Sequence, residues 1–160
     1  MCLLLTAICG CAIWYLDQPL RNDVTPFGIL ELEFCGVAGN CGAVLAGWTG
    51  QSRDALLVLL GLDYLFLCLY PASLALLIEQ QQRRMGGRST FWPATLGVAI
   101  ALADALENVG SLRMLLNGVT PLAAISSSIF ASIKFALLLA GLGWLGFLFW
   151  QGAFRQRVRQ

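Results

Sequence analysis

The chain has 160 residues, 58% of them hydrophobic and 12% charged, with a net charge of +1. A soluble domain carries roughly twice that charged fraction, so the composition is that of one integral membrane domain spanning residues 1–160. A charge so close to neutral gives no basic field for nucleic acid, and the absence of His excludes His-ligated haem, His-ligated zinc and a Ser-His-Asp triad.

Residues 1–16 are apolar throughout and end in Trp14-Tyr15, an interfacial pair. They read as the first membrane helix, although a full span takes about 20 residues, which leaves room for an upstream start. A signal peptide is the rival reading. Ile8-Cys9-Gly10-Cys11 faintly resembles a lipoprotein cleavage box, but no Lys or Arg precedes Arg21 to make a basic leader.

Residues 17–53 form a mixed polar segment, too long for a simple turn. Within Gly28–Cys35, Leu30, Leu32 and Phe34 alternate with Glu31 and Glu33, the period of a half-buried extended strand. Asn40 is placed to cap a short helix over Cys41–Trp48, with Val44, Leu45 and Trp48 on one side. The whole segment is expected to be either a surface loop or a lid across the mouth of the bundle.

The second span covers residues 54–78. Asp63 lies about 12 Å inside its first end, Tyr70 follows on nearly the same face, and Pro71 is a place for a kink. A loop with Arg83, Arg84, Gly86-Gly87 and Arg88 leads to the third span, residues 94–116. Asp104, Glu107 and Asn108 sit near its middle at spacing i, i+3, i+4, hence on one face. Asn117-Gly118 and Pro121 make a turn. The fourth span, residues 122–150, places Ser127, Ala131, Lys134 and Leu138 on one face and carries Gly141, Gly143 and Gly146. The expected fold class is therefore an all-α, four-transmembrane-helix bundle, with a short extended segment and a short helix in its first external loop.

Basic residues set the orientation. Arg83, Arg84, Arg88, Arg155, Arg157 and Arg159 lie toward one side, and Arg21, Arg53 and Arg113 toward the other. Short loops rich in Lys and Arg stay cytoplasmic, so both termini are expected inside, in a bacterial inner membrane. Of the six cysteines, Cys2, Cys9, Cys11 and Cys68 read as small apolar filler. Cys35 and Cys41 are the two outside the apolar spans; they can pair if they face an oxidising compartment.

By helix rise, Asp63, Asp104, Glu107 and Lys134 arrive at similar depths, about 12 to 18 Å from the outer side. Ionisable groups at that depth face protein or a water-filled cavity and mark a functional site. Lys134 is expected to pair with one or two of the acids, with Asn108 and Tyr70 adding neutral hydrogen bonds. Three carboxylates against one ammonium leave a formal charge of −2, which desolvation and like-charge repulsion oppose. Such a site can exchange protons or bind a cation. A structural staple is the plainer alternative, but it needs only one acid and one base.

The order Asp63, Phe66, Tyr70, then Asp104, Glu107, Asn108, then Ser132 and Lys134 resembles a broad group of uncharacterised bacterial four-helix membrane proteins over most of the chain. That group also places an extended segment and a short helix between its first two spans. Phe135 departs from the tryptophan that the resemblance implies beside the lysine. The likeness implies the fold and the polar site; it names no reaction.

Several functions are open. One is a pocket for a small or amphiphilic ligand, with Asp104, Glu107 and Lys134 as candidate catalytic residues and Asp63, Tyr70 and Asn108 as ligand-binding ones. A second is proton-linked transport, with buried carboxylates as relays, for which a bundle this small calls for a homodimer. A third is a non-catalytic subunit of a larger membrane complex, docking through Gly141, Gly143 and Gly146. Neither a metal nor a cofactor is expected, and the partners are the lipid bilayer and such a ligand or subunit.

Overall fold

The structure, a computed structural model, describes residues 1–87 and 90–158, and of 155–158 the backbone alone. Of the basic residues that bear on orientation, Arg88 and Arg159 fall outside the described residues, as do the side chains of Arg155 and Arg157. The helices are α1 (Cys2–Asp17), α2 (Ile29–Ala38), α3 (Cys41–Ala46), α4 (Gln51–Arg84), α5 (Trp92–Asn117) and α6 (Pro121–Val158). Four of these, α1 with the 3-10 turn Gln18–Leu20 that follows it, α4, α5 and α6, are long and apolar enough to cross a membrane. The protein is an all-α, multi-pass bundle of four such helices.

Each long helix forms because, in an apolar stretch, a helix pairs every backbone N–H and C=O internally and leaves none exposed to lipid. At 1.5 Å per residue α4 is about 50 Å long and α6 about 57 Å, so both outrun a hydrocarbon core of about 30 Å. Pro71 sits inside α4 without ending it. The bundle is built as α5 on α6, α4 beside α5, and α1 on α4, with α2 laid on α6.

Two apolar clusters stack along the bundle. One lies at the α2–α3 end, around Leu20, Leu32, Cys35, Val44, Trp48, Leu56, Leu59 and Met114. The other lies toward the opposite end, around Leu74, Ile78, Ile100, Leu145 and Leu148. On α4 and α5 the stretch between these clusters carries Asp63, Asp104, Glu107 and Asn108, with Tyr70 at the edge of the second cluster. A polar layer thus separates two dry ones.

The alternation over Gly28–Cys35 does not make a strand; Ile29–Ala38 is helical. Leu30, Leu32 and Phe34 therefore do not share a side. Leu32, Glu33 and Cys35 are buried, whereas Leu30 and Phe34 are exposed. Tertiary contacts decide this. The buried Asp17 carboxylate, held by Arg21 at 2.9 Å, accepts the Ile29 N–H at 2.7 Å and so satisfies one of the free donors of the α2 N-terminus. Gly28 turns the chain there at φ +62°, and a Cβ on it would land on that carboxylate. At the other end of α2, a Cβ on Gly36 would strike the Ala124 backbone. The Gly36 N–H donates to Ser128 Oγ at 3.0 Å. Lacking a side chain, Gly36 lets α2 seat directly on α6.

The short helix α3 ends at Ala46 rather than Trp48. Asn40 occupies its N-cap position, but no side-chain cap bond forms, because its backbone (φ −118°, ψ 14°) is not extended. Trp48 is fully buried and donates to the Leu20 carbonyl at 2.7 Å, as Thr25 Oγ1 does at 2.6 Å. Cys35 and Cys41 form a disulfide, Cα–Cα 4.7 Å, tying the end of α2 to the start of α3. The segment between α1 and α4 is thus an ordered, cross-linked cap on one end of the bundle.

Candidate functional site

The spacing i, i+3, i+4, i+7 puts Asp104, Glu107, Asn108 and Ser111 on the buried face of α5. Ser111 and Ser127 meet at 3.1 Å, and Ser127 also donates to the Glu107 carbonyl at 3.3 Å, so α6 is locked against this face. Lys134 then enters the polar layer from α6, 6% exposed.

Its ammonium donates to Asp104 Oδ1 at 3.0 Å, to Glu33 Oε1 at 3.3 Å and to Glu107 Oε2. An ammonium has three N–H donors, and all three are used. The other Asp104 oxygen accepts the Tyr70 hydroxyl at 2.8 Å. Asp63 Oδ2 accepts from Asn108 Nδ2 at 2.5 Å. Of the six residues expected at the site, Tyr70, Asp104, Glu107 and Lys134 are thus joined by hydrogen bonds, and Asp63 and Asn108 form a second pair beside them. Ser132 does not join this patch: it faces out, and its hydroxyl turns back to the Ser128 carbonyl at 2.8 Å.

Glu33 is the residue that sequence reasoning placed elsewhere, on the polar side of a strand. Read as a helix, α2 puts Glu33 beside Leu32 and one turn from Gly36, on the face pressed to α6. That placement raises the carboxylates around Lys134 and Asn108 to four, a formal charge of −3 if all are ionised. Glu33 Oε2 is buried and has no hydrogen-bond partner. Burial pushes the Glu33 carboxyl up to about 7; the Lys134 ammonium pulls against this and the Asp104 carboxylate adds to it.

The patch borders a cavity of about 310 Å³. Asp63, Tyr70, Asp104, Asn108, Glu33 and Lys134 line part of it, and Ile13, Ile29, Leu30, Leu59, Leu60, Phe66, Phe135 and Leu138 the rest, so five helices contribute walls. Ile13, Leu30, Phe66 and Phe135 are partly or fully exposed, which opens it sideways. Phe135, where the resemblance implies tryptophan, stacks on Phe34 at 5.7 Å and lies 5.0 Å from the Lys134 ammonium. Among the described residues no cluster of His, Cys, Asp or Glu is disposed to hold a metal ion; Lys134 holds the position between the carboxylates.

The glycines of α6 divide. Gly141 packs inward on Leu74 and Leu96, whereas Gly143 and Gly146 have open space beside them. They do not form one exposed stripe. Comparison with protein-family models, with curated proteins and with solved structures finds no match for this chain.

Chemically, the patch offers carboxylates within direct reach of one ammonium, a phenol on one of them, and an apolar chamber alongside. That is a set of proton donors and acceptors sharing one charge, next to room for a ligand.

Proposed function

We propose that the polar patch is the working end of a pocket that binds or acts on a small or amphiphilic ligand. The observation that carries this reading is the apolar cavity ending on a charge cluster that the protein leaves incomplete at Glu33 Oε2. A staple has every group paired and no space beside it. In the catalytic version, Asp104 and Glu107 serve as acid and base and Lys134 as their electrostatic partner, while Asp63, Tyr70 and Asn108 hold the ligand. A proton-linked carrier would use the same carboxylates as relays. A complex subunit or homodimer has Gly143 and Gly146 as its remaining contact on α6.

We place the chain in a bacterial cytoplasmic membrane with both termini inside and α2–α3 outside. The bias of basic residues supports this, and so does the Cys35–Cys41 disulfide, a bond of oxidising compartments. Leu30, Phe34 and Val37 on the outer face of α2 are apolar and exposed, which suits a helix bedded at the membrane interface.

Mass analysis of small molecules released from the purified protein tests the pocket. Ile13→Trp, at the partly exposed rim, fills the cavity without touching the charges. A molecule bound near one per chain in the wild type and lost in Ile13→Trp supports the reading. No bound molecule, or one kept equally by Ile13→Trp, refutes it.

A further inference from the structure

The donors and acceptors around the cavity do not balance. Three carboxylates, Glu33, Asp104 and Glu107, meet one ammonium, and a fourth, Asp63, lines the same cavity. The three donors of Lys134 are taken, the Tyr70 hydroxyl is given to Asp104, and Asn108 is bonded to Asp63. Glu33 lines the cavity, is 8% exposed, and keeps one oxygen without a partner. Of the nearest basic side chains on the α1–α4 end, Arg21 is bonded to Asp17 and Arg53 to the Leu115 carbonyl. What the cavity lacks is a hydrogen-bond donor with positive charge.

The rest of the lining fits the same occupant. Phe66 and Tyr70 pair at 4.9 Å on α4, and Phe135 lies on α6; aromatic faces attract ammonium groups. Ile13, Ile29, Leu30 and Leu59 offer an apolar wall to a hydrocarbon chain. The volume, about 310 Å³, lies within the range of small-molecule sites. A carboxylate or phosphate head would add like charge to a cluster already in excess.

We infer that the pocket takes a lipophilic amine: an apolar chain or ring carrying a protonated amino group, whose N–H donates to the free oxygen of Glu33 while the chain lies against α1 and α2. This rests on the ligand-pocket reading above and narrows it to one chemical class. The head enters sideways past Leu30 and Phe135, and it lowers the excess negative charge by one.

Three photoreactive diazirine probes of equal alkyl length test this, one ending in an amine, one in an alcohol and one in a carboxylate. Each is added to the full chain in nanodiscs of zwitterionic lipid. Labelling of cavity residues is read by peptide mass spectrometry relative to the exposed α6 residues Leu139 and Leu142. The amine should label the cavity about tenfold more than the alcohol, which is the worth of one charge-assisted hydrogen bond. Glu33→Gln should cut amine labelling by a similar factor and alcohol labelling by less, because the alcohol loses a neutral donor's bond and no ion pair. If the alcohol or the carboxylate labels the cavity as well as the amine does, the amine assignment is wrong and the pocket reading stands. If no probe labels the cavity above the α6 reference, both fall. The wild-type comparison alone decides between these outcomes should Glu33→Gln fail to fold.

Discussion

Lys134→Met removes the one ammonium in the polar layer and keeps an unbranched side chain of similar reach. Asp104 and Glu107 are each 2% exposed and Glu33 8%, so bulk water does not solvate the carboxylates that lose their donor. Breaking one buried pair costs about 3–5 kcal/mol. Here three carboxylates lose the same partner, but protons can take its place, and the cost should stay in that range. For a chain of this length that is a fall in Tm of roughly 10 °C. The sign with pH follows from linkage. Glu33, deprived of the ammonium that opposed its burial, binds its proton more tightly folded than unfolded, so the deficit is largest at high pH and shrinks in acid. Melts in detergent at pH 5 and pH 8 for Lys134→Met, Asp104→Asn and the double variant give the measurement. The double variant should regain about 1 kcal/mol or more over Lys134→Met. A loss that is equal at both pH values, or strictly additive in the double variant, would refute the coupling.

Glu33 gives a second pH signature. Its carboxyl is held near 7 against an ordinary value of 4.5, so the stability it contributes is full below 4.5 and is lost as pH rises through 7. Wild-type Tm should therefore fall between pH 5 and pH 8, and Glu33→Gln should flatten that slope and melt higher at pH 8; an unchanged slope in the variant removes Glu33 from the account. Gly36→Ala drives a methyl into the Ala124 backbone and should cost about 1–3 kcal/mol, whereas Gly42→Ala, with open space around it, should be near neutral by the same melt. Orientation is read with a membrane-impermeant maleimide on Asn22→Cys, in a background whose free cysteines Cys2, Cys9, Cys11 and Cys68 are replaced. Labelling is expected in intact cells; labelling only after permeabilisation would reverse the topology.

The long apolar runs announce the four spans, and the i, i+3, i+4 spacing of Asp104, Glu107 and Asn108 announces the buried face of α5. Similar depth is enough to gather Asp63 and Lys134 around them, because helix rise is fixed at about 1.5 Å per residue, and Tyr70 follows from sharing the Asp63 face of its helix. What local sequence does not reveal is α2. Leu30-Glu31-Leu32-Glu33-Phe34 is too short to tell period 2 from period 3.6. The choice is made by distant partners: Asp17 at the Ile29 N–H, Ala124 under Gly36, and Lys134 on Glu33. The last contact spans 101 residues. Ser132 fails for the opposite reason: it lies two residues from Lys134, and on a helix that turns it to a different face.

If the pocket works as proposed, the cavity beside Glu33 and Lys134 is occupied in the working protein. A high-resolution density map of the chain purified in native lipid shows this. Non-protein density is expected within hydrogen-bond distance of Glu33 Oε2, extending between Ile13, Leu30 and Phe66. A dry cavity, or one in which another side chain closes onto Glu33 Oε2, would contradict the proposal.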